Sequence, residues 1–314
     1  MIMQSEQTQP IETKRIAIFL LFAFGIAWAT AWYIYNHGGL TGGAMLAPGV
    51  PLAVVLLAGP YMFAPTIGHL AARLLSGEGW HGLTLWPKFR TGWKFWLAGW
   101  FLPGVLTVAG AVVFFVIFPS LFDADLKVVQ NMGVMSGFGT AGLAPWQMLM
   151  IGMLMGMLLA PINLLATFGE EFGWRAYLLK KLLPMGRQKA LLVMGLIWGV
   201  WHWPVIFMGY EYGSNYPGWP WVGPLLFVWI TFGLGTFLAW LAIRSGSVWP
   251  AALGHAAINA IAGLSLLVVN PSLVANPLYG PSPVGVLGGI GYSLVALYLF
   301  VTPSAWQEPA APRL

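Results

Sequence analysis

The sequence has no cysteine among its 314 residues, and only 7% of its residues carry a charge. The lack of cysteine excludes disulfide bonds, a catalytic thiolate and any metal site built on sulfur ligands. The scarcity of charge makes any charged cluster within an apolar run notable. A buried carboxylate in a lipid-like setting is costly unless it is paired or used. Such a cluster therefore calls for a functional explanation.

Apolar residues are abundant: 59% of the chain is hydrophobic, and the mean hydropathy is +0.77. The apolar runs repeatedly reach about 20 residues, the length of helix that crosses a bilayer core. Backbone hydrogen bonding in lipid then requires helices, because the alternation of a β-barrel is absent. We predict an all-α polytopic membrane protein with about eight transmembrane helices, forming one integral membrane domain over 1–314. The predicted spans are 15–36, 51–75, 93–118, 145–179, 190–208, 221–243, 248–269 and 284–302.

Basic residues are distributed unevenly over the predicted loops. With the amino terminus in the cytoplasm, Lys127 is the one loop lysine or arginine that falls outside, which is the asymmetry of the positive-inside rule. Both termini are therefore predicted to be cytoplasmic. Tyrosine and tryptophan crowd residues 209–222, which we predict to be an outer interfacial loop. Asp123, Asp125 and Glu211 are interpreted as solvated charges of the outer side, and nothing in the charge pattern indicates nucleic-acid binding.

Three charged residues lie inside the fourth predicted span: Glu170, Glu171 and Arg175. The spacing of Glu171 and Arg175 favours an ion pair on one helix. At the helical rise per residue, Glu170 lies roughly 15 Å from the cytoplasmic Lys180. This span is longer than one crossing needs, and we expect either a kink at Pro161 or a first part that lies along the membrane surface.

Two histidines lie at similar depth on other predicted spans. His202 is roughly 20 Å from Lys189, and His255 is roughly 16 Å from Arg244. Asn259 follows His255 by four residues, so it projects from the same helix face. Three helices thus bring ionisable groups to one layer, which predicts a polar active-site cavity within the bundle. These depths place the cavity within reach of the cytoplasmic side.

The predicted cavity contains the groups that peptide hydrolysis requires. A carboxylate and an imidazole, here Glu170 and His202, act on one water as a general base. His255 and Asn259 are suited to donate hydrogen bonds to a developing oxyanion. Alternatively, Glu170, His202 and His255 form a three-ligand set like that of a catalytic zinc, with the fourth position left to water. No HExxH motif is present, so such a site would be assembled from separate helices.

Three motifs carry a resemblance to a known family. They are Glu170-Glu171-x-x-x-Arg175, Trp198-x-x-x-His202 and His255-x-x-x-Asn259. They are similar to the EExxxR, FxxxH and HxxxN/B motifs of the CPBP family, also called the ABI family. This family comprises the type II CAAX prenyl endopeptidases and their bacterial relatives, and the chain resembles a bacterial-type member. Trp198 stands where many members have phenylalanine. The resemblance covers about residues 165–265, within a motif-bearing core of about 145–270.

The resemblance implies an intramembrane endopeptidase that cuts a membrane-associated protein or peptide. By the family pattern, Glu170 and His202 would activate the water, while His255 and Asn259 would stabilise the oxyanion. Glu171 and Arg175 would position the first pair. The family is often described as metalloproteases, so one divalent metal such as zinc is an alternative to a metal-free mechanism. A prokaryotic cell membrane is the expected location.

Two other functions are compatible with these residues. The polar cluster could bind a peptide without cutting it, as in family members linked to bacteriocin immunity. Intramembrane Glu and His also mark ion paths in transporters, although the sequence lacks the matched broken helices of repeated transporter halves. His69, in the second span, has no partner motif and is interpreted as structural or cavity-lining.

Overall fold

The computed structural model describes residues 10–136 and 142–307, and it is almost entirely helical. A short antiparallel hairpin of β1 (Met45–Ala47) and β2 (Val50–Pro51) is the sheet within these ranges. The prediction of an all-α polytopic membrane protein is confirmed. The helices are α1 Thr13–Asn36, α2 Leu52–Ser76, α3 Phe89–Ile117, α4 Lys127–Ser136, α5 Pro145–Met185, α6 Arg187–Trp201, α7 Trp203–Phe207, α8 Val222–Ser245, α9 Trp249–Ile261 and α10 Ile290–Val301.

Six helices in the described ranges are long and apolar enough to cross a membrane, the last of them counted through the turn Leu264–Val268 that follows α9. They coincide with the predicted spans one to four, six and seven. The fifth predicted span is divided into α6 and α7 at His202, where Pro204 at the start of α7 cannot donate a backbone hydrogen bond. The eighth corresponds to the shorter α10. The total of eight crossings stays a prediction.

Helix α5 is not uniform along its length. It passes through a 3₁₀ turn at Ala160–Asn163, next to Pro161, and a π-helical turn at Trp174–Leu178. The 3₁₀ turn precedes the two carboxylates, and the π-helical turn follows them and contains Arg175. Such π-helical turns inside α-helices occur frequently at functional sites. The sequence expectation of a break near Pro161 agrees with the 3₁₀ turn.

Small residues let the helices approach closely. Ala23, Ala27 and Ala31 recur every four residues on α1 and are fully buried. Gly68 of α2 faces this stripe, and a Cβ there would lie 2.7 Å from the carbonyl oxygen of Phe19. Such stripes let the backbones of membrane helices approach closely. Van der Waals packing then holds the helices together, because the hydrophobic effect does not drive helix association in lipid.

Basic side chains near the helix ends meet at one end of the bundle. Lys181 Nζ contacts Glu12 Oε1 at 2.7 Å and Glu78 Oε1 at 2.6 Å. Burial would raise the pKa of the Glu78 carboxyl, but hydrogen bonds from Lys181 and Tyr177 prevail and hold that pKa below its ordinary value. Arg187 donates to the Phe300 carbonyl, and Arg244 donates to the Ala305 carbonyl. We call this the basic end.

We call the opposite end of the bundle the distal end. It consists of the loops that connect the helices there. Tyr212 donates a 2.7 Å hydrogen bond to the Val284 carbonyl, which joins two of these loops. Lys127 lies here beside the exposed Asp125. The interpretation of Asp123 as solvated is wrong, because Asp123 is buried and accepts hydrogen bonds from the backbone N–H groups of Asp125 and Lys127. The clustering of basic residues agrees with the predicted asymmetry. The cytoplasmic placement of the termini stays a prediction, because the arrangement of the helices does not tell which end of the bundle faces the cytoplasm.

Candidate active site

Two glycines hold the charged segment of α5 against α2. A Cβ on Gly169 would lie 2.8 Å from the Phe63 ring, and a Cβ on Gly173 would lie 2.4 Å from Pro65. Thr66 Oγ1 also donates to the Gly169 carbonyl at 2.7 Å. The four-residue spacing of the glycines permits this close approach of two membrane helices. With the glycines turned toward α2, the two carboxylates contact Trp198 of α6 and His255 of α9 in the interior of the bundle.

Glu170 is buried and is held by two indoles. Its Oε2 accepts a 2.8 Å hydrogen bond from Trp198 Nε1 and a longer one, 3.3 Å, from Trp174 Nε1. No hydrogen bond from the described part of the chain reaches Oε1, and the residue lines a cavity. Glu170 therefore has one oxygen fixed and the other available. The tryptophan that departs from the family pattern at position 198 supplies a donor that phenylalanine lacks.

Glu171 connects Arg175 to His255. Its Oε1 accepts from Arg175 Nη1 at 2.7 Å and from His255 Nδ1 at 2.9 Å. The guanidinium also stacks on Trp198, with 4.2 Å between its carbon and the ring centroid. Because the Nδ1 proton of His255 is given to a carboxylate, the ring orientation is set and Nε2 is left to face other partners.

His202 is oriented by the backbone of its own helix. Its Nδ1 donates to the Trp198 carbonyl at 2.8 Å, which leaves Nε2 free. The ring stands edge-on to Trp201 and to Phe227, with centroids 4.7 and 4.9 Å apart. His69 differs, because Phe172 O and Arg73 Nε occupy its two ring nitrogens. That satisfied ring agrees with a structural role.

A cavity of about 90 Å³ brings the predicted residues together. Glu170, His202, His255 and Asn259 all line it, and the first three are buried while Asn259 is exposed to it. A volume of this size holds several waters. Glu171 and Arg175 do not line the cavity but lie behind its wall, where they hold His255 and Trp198.

Sequence reasoning missed three cavity residues: Tyr61, Tyr210 and Glu211. Glu211 was predicted to be a solvated charge of the outer loop; it is exposed, but it lines the same cavity as Glu170. The signal available in the sequence was that Glu211 is the one carboxylate of the aromatic segment 209–222. The sequence does not reveal that this loop folds over the end of α6.

The cavity lies in the distal half of the bundle. Its wall includes loop residues 210–211 and 283–284 and the distal parts of α2, α8 and α9. The sequence-based expectation places the site within reach of the cytoplasmic side, and the described lining lies nearer the distal end than the basic end; which end is cytoplasmic stays a prediction. The depths were counted from the basic residues alone, and a group roughly 20 Å along a helix is past the middle of a core about 30 Å thick.

The cavity residues form a donor set of the kind that binds divalent metals. Two imidazoles with anchored Nδ1–H groups and a carboxylate are typical zinc ligands. Within residues 10–136 and 142–307, however, no three His, Asp or Glu side chains lie close enough to hold one ion. In this arrangement the set of Glu170, His202 and His255 does not fit a metal.

A larger groove of about 890 Å³ lies on the other side of α9, between α3 and α5. Its walls are almost wholly apolar, and Val105, Val112 and Val116 of α3 are exposed there. None of the predicted site residues lines it. Its described lining contains no ionisable side chain.

Comparison with known proteins identifies residues 145–261 as a match to the family described as Rce1-like, type II CAAX prenyl endopeptidase. The matched segment begins with α5 and ends with α9, so it contains all three motifs and both glycine contacts. A search of curated proteins found no match.

Proposed function

The chain belongs, through residues 145–261, to the Rce1-like family of type II CAAX prenyl endopeptidases, and from this membership we propose that it hydrolyses a peptide bond inside the membrane. The observation that carries the proposal is that Glu170, His202, His255 and Asn259, from three helices, line one cavity. The substrate is a protein or peptide held in or near the bilayer.

In the proposed reaction, Glu170 and His202 act on a water in the cavity. Glu170 Oε1 takes one proton from the water, and His202 Nε2 accepts a hydrogen bond from its other O–H. The hydroxide oxygen attacks the carbonyl carbon of the scissile bond. Glu170 then returns its proton to the leaving nitrogen, so the carboxylate is regenerated as the bond breaks.

His255 and Asn259 are proposed to stabilise the oxyanion. The amide of Asn259 donates one hydrogen bond, and a protonated His255 donates another from Nε2. The Glu171 carboxylate, 2.9 Å from Nδ1, supports positive charge on that ring. Donors already fixed in place cost no reorganisation when the charge develops, which is why such sites are effective. Glu171 and Arg175 act as positioning residues.

The test of the proposal is cleavage of membrane-anchored peptides by purified protein in proteoliposomes, read by mass spectrometry. We expect His202→Ala to reduce product formation by at least about 10²-fold, as loss of acid–base catalysis does. His37→Ala is the matched control, because His37 is exposed at the distal end of α1 and lies outside the cavity. Full activity in His202→Ala protein would refute the assignment. Binding of peptides by the wild type with no product would favour the non-catalytic alternative.

Metal content is a separate measurement on the same preparations. Elemental analysis of wild-type protein and of the His202→Ala and His255→Ala variants compares the two mechanisms. Equal and negligible metal in all three supports the metal-free route. A stoichiometric metal that both variants lose would show that the cavity rearranges to bind it.

We further propose that substrate enters from the distal, non-cytoplasmic end. The absence of native cysteine makes single-cysteine variants direct reporters. We expect a membrane-impermeant maleimide to label Ser214→Cys in intact cells, because Ser214 is exposed in the loop beside the cavity. Ser304→Cys, exposed at the basic end, should be labelled only after permeabilisation. The reverse pattern would place the entrance on the cytoplasmic side.

A further inference from the structure

Glu211 is fixed at the distal mouth of the cavity by its loop. The residue has a φ of +67°, in the left-handed region that non-glycine residues rarely adopt. The loop around it is held by hydrogen bonds from Tyr210 N to the Val205 carbonyl and from Gly213 N to the Gly209 carbonyl, at 3.0 and 2.9 Å. A residue held in such a backbone conformation by the surrounding structure is a candidate for a functional role.

The charges of the cavity wall favour a cation. Its ionisable lining consists of two carboxylates, two imidazoles and two phenols, and none of its described residues is lysine or arginine. Arg175 is the nearest guanidinium to the site, but it is paired with Glu171 and lies behind Trp198. A positive group that enters the cavity therefore meets the carboxylates of Glu170 and Glu211 and no lysine or arginine of the lining.

Aromatic side chains complete this environment. Tyr61, Trp198, Trp201, Tyr210 and Phe227 line the same cavity. A cation near the face of such rings gains about 0.5–2 kcal/mol, more where water is excluded. Carboxylate and aromatic groups together match the chemistry of a lysine or arginine side chain, whose methylene stem packs on rings while its head pairs with a carboxylate.

We infer that Glu211 is a specificity-determining residue that selects peptides with a lysine or arginine beside the scissile bond. The inference rests on the proposed function and names its substrate class. The basic side chain would lie against Tyr210 and reach the Glu211 carboxylate at the mouth, while the adjacent carbonyl lies by Glu170.

The preference should depend on pH. Glu211 is exposed, but desolvation of its carboxyl group raises its pKa to about 7, and this effect outweighs a hydrogen bond from Tyr210 that lowers it. Glu211 is then largely neutral at pH 6 and charged at pH 8, so selection for a cation strengthens as the pH rises through 7. The titratable groups that face it across the cavity are Tyr61, Glu170, His202, Tyr210 and His255. Where the titration of these groups changes the cleavage of both peptides equally, the change cancels in the ratio of the two kcat/KM values.

The experiment compares paired membrane-anchored peptides that differ only in lysine or norleucine next to the cleaved bond. For the wild type at pH 8 we expect kcat/KM to favour lysine by roughly tenfold, the size of a hydrogen bond to a charged group. Glu211→Gln should bring the ratio close to one at every pH, because kcat/KM for the lysine peptide falls toward that of the norleucine peptide. Glu211→Lys should favour a glutamate peptide over the lysine peptide.

Asp125→Asn is the matched control, because it removes an exposed distal carboxylate that is paired with Lys127 outside the cavity. It should leave the ratio at its wild-type value. A wild-type ratio near one, or an equal loss of both peptides in Glu211→Gln, would overturn the inference while the peptidase assignment stands. Absence of any product from any peptide would instead overturn the proposed function.

Discussion

Glu170→Gln protein is expected to lose peptide cleavage by about 10²–10⁴-fold, the range that a general base contributes. Glutamine keeps the shape of the side chain and an oxygen that accepts from Trp198 Nε1 at the observed 2.8 Å, but it cannot take a proton from water. The loss should therefore appear in kcat with little change in KM. Cleavage rates in proteoliposomes, with thermal unfolding in detergent to verify folding, measure it.

A second variant separates the chemistry of Glu170 from its positioning. Trp198→Phe keeps an aromatic ring beside His202 and His255 and restores the family residue, but it removes the indole N–H. We expect a loss of about tenfold in kcat, the size of one hydrogen bond to a charged group. Glu170→Gln protein that retained more than a tenth of wild-type activity would remove Glu170 from the role of base. An unchanged rate in Trp198→Phe would show that its hydrogen bond is dispensable.

The second large effect concerns stability. Arg175→Met should destabilise the protein by about 3–5 kcal/mol, the cost of leaving one partner of a buried ion pair uncompensated. Both side chains of the Glu171–Arg175 pair are fully buried, with 2.7 Å between Arg175 Nη1 and Glu171 Oε1. The remaining Glu171 carboxylate would keep only the His255 contact. Reversible unfolding, followed by intrinsic tryptophan fluorescence, gives the free-energy difference.

The double variant Glu171→Gln/Arg175→Met tests the mechanism of that loss. Removing both charges should recover much of the stability, since buried pairs replaced by neutral groups are often close to neutral in energy. Lys127→Met is the control, because its pair with Asp125 is exposed and should contribute less than about 1 kcal/mol. If Arg175→Met were as stable as Lys127→Met, the buried pair would not be the element that holds this part of α5.

Residue types and depth along the helices were enough to predict which residues of the candidate site lie near one another. Glu170, His202 and His255 were placed in one layer by counting residues from helix ends, and the structure places all three on one cavity. The count succeeded because a helix in a bilayer has a nearly fixed rise per residue and few ways to cross. A depth measured from one end does not tell from which end the cavity is reached, so the accessible side stays a prediction.

The positions of the loop residues could not be predicted by counting residues along helices. Tyr210 and Glu211 line the cavity because residues 208–221 fold back over the end of α6. That path depends on positive φ at Gly209 and Glu211 and on the Tyr212–Val284 hydrogen bond. No periodicity constrains a loop, so its position is decided by contacts with elements far away in sequence.

The segment from Gly169 to Arg175 shows most clearly which properties follow from the sequence and which depend on the tertiary structure. The sequence by itself determined that this segment lies in a membrane helix, and that its charges must be paired or used, because apolar runs of bilayer length and a desolvation cost for charge leave few alternatives. Only the tertiary structure decided which carboxylate serves which purpose. Glu171 pairs with Arg175 and His255, while Glu170 keeps one oxygen in the cavity. The physical reason is that adjacent residues of a helix point about 100° apart, so their partners depend on which neighbouring helix each one faces.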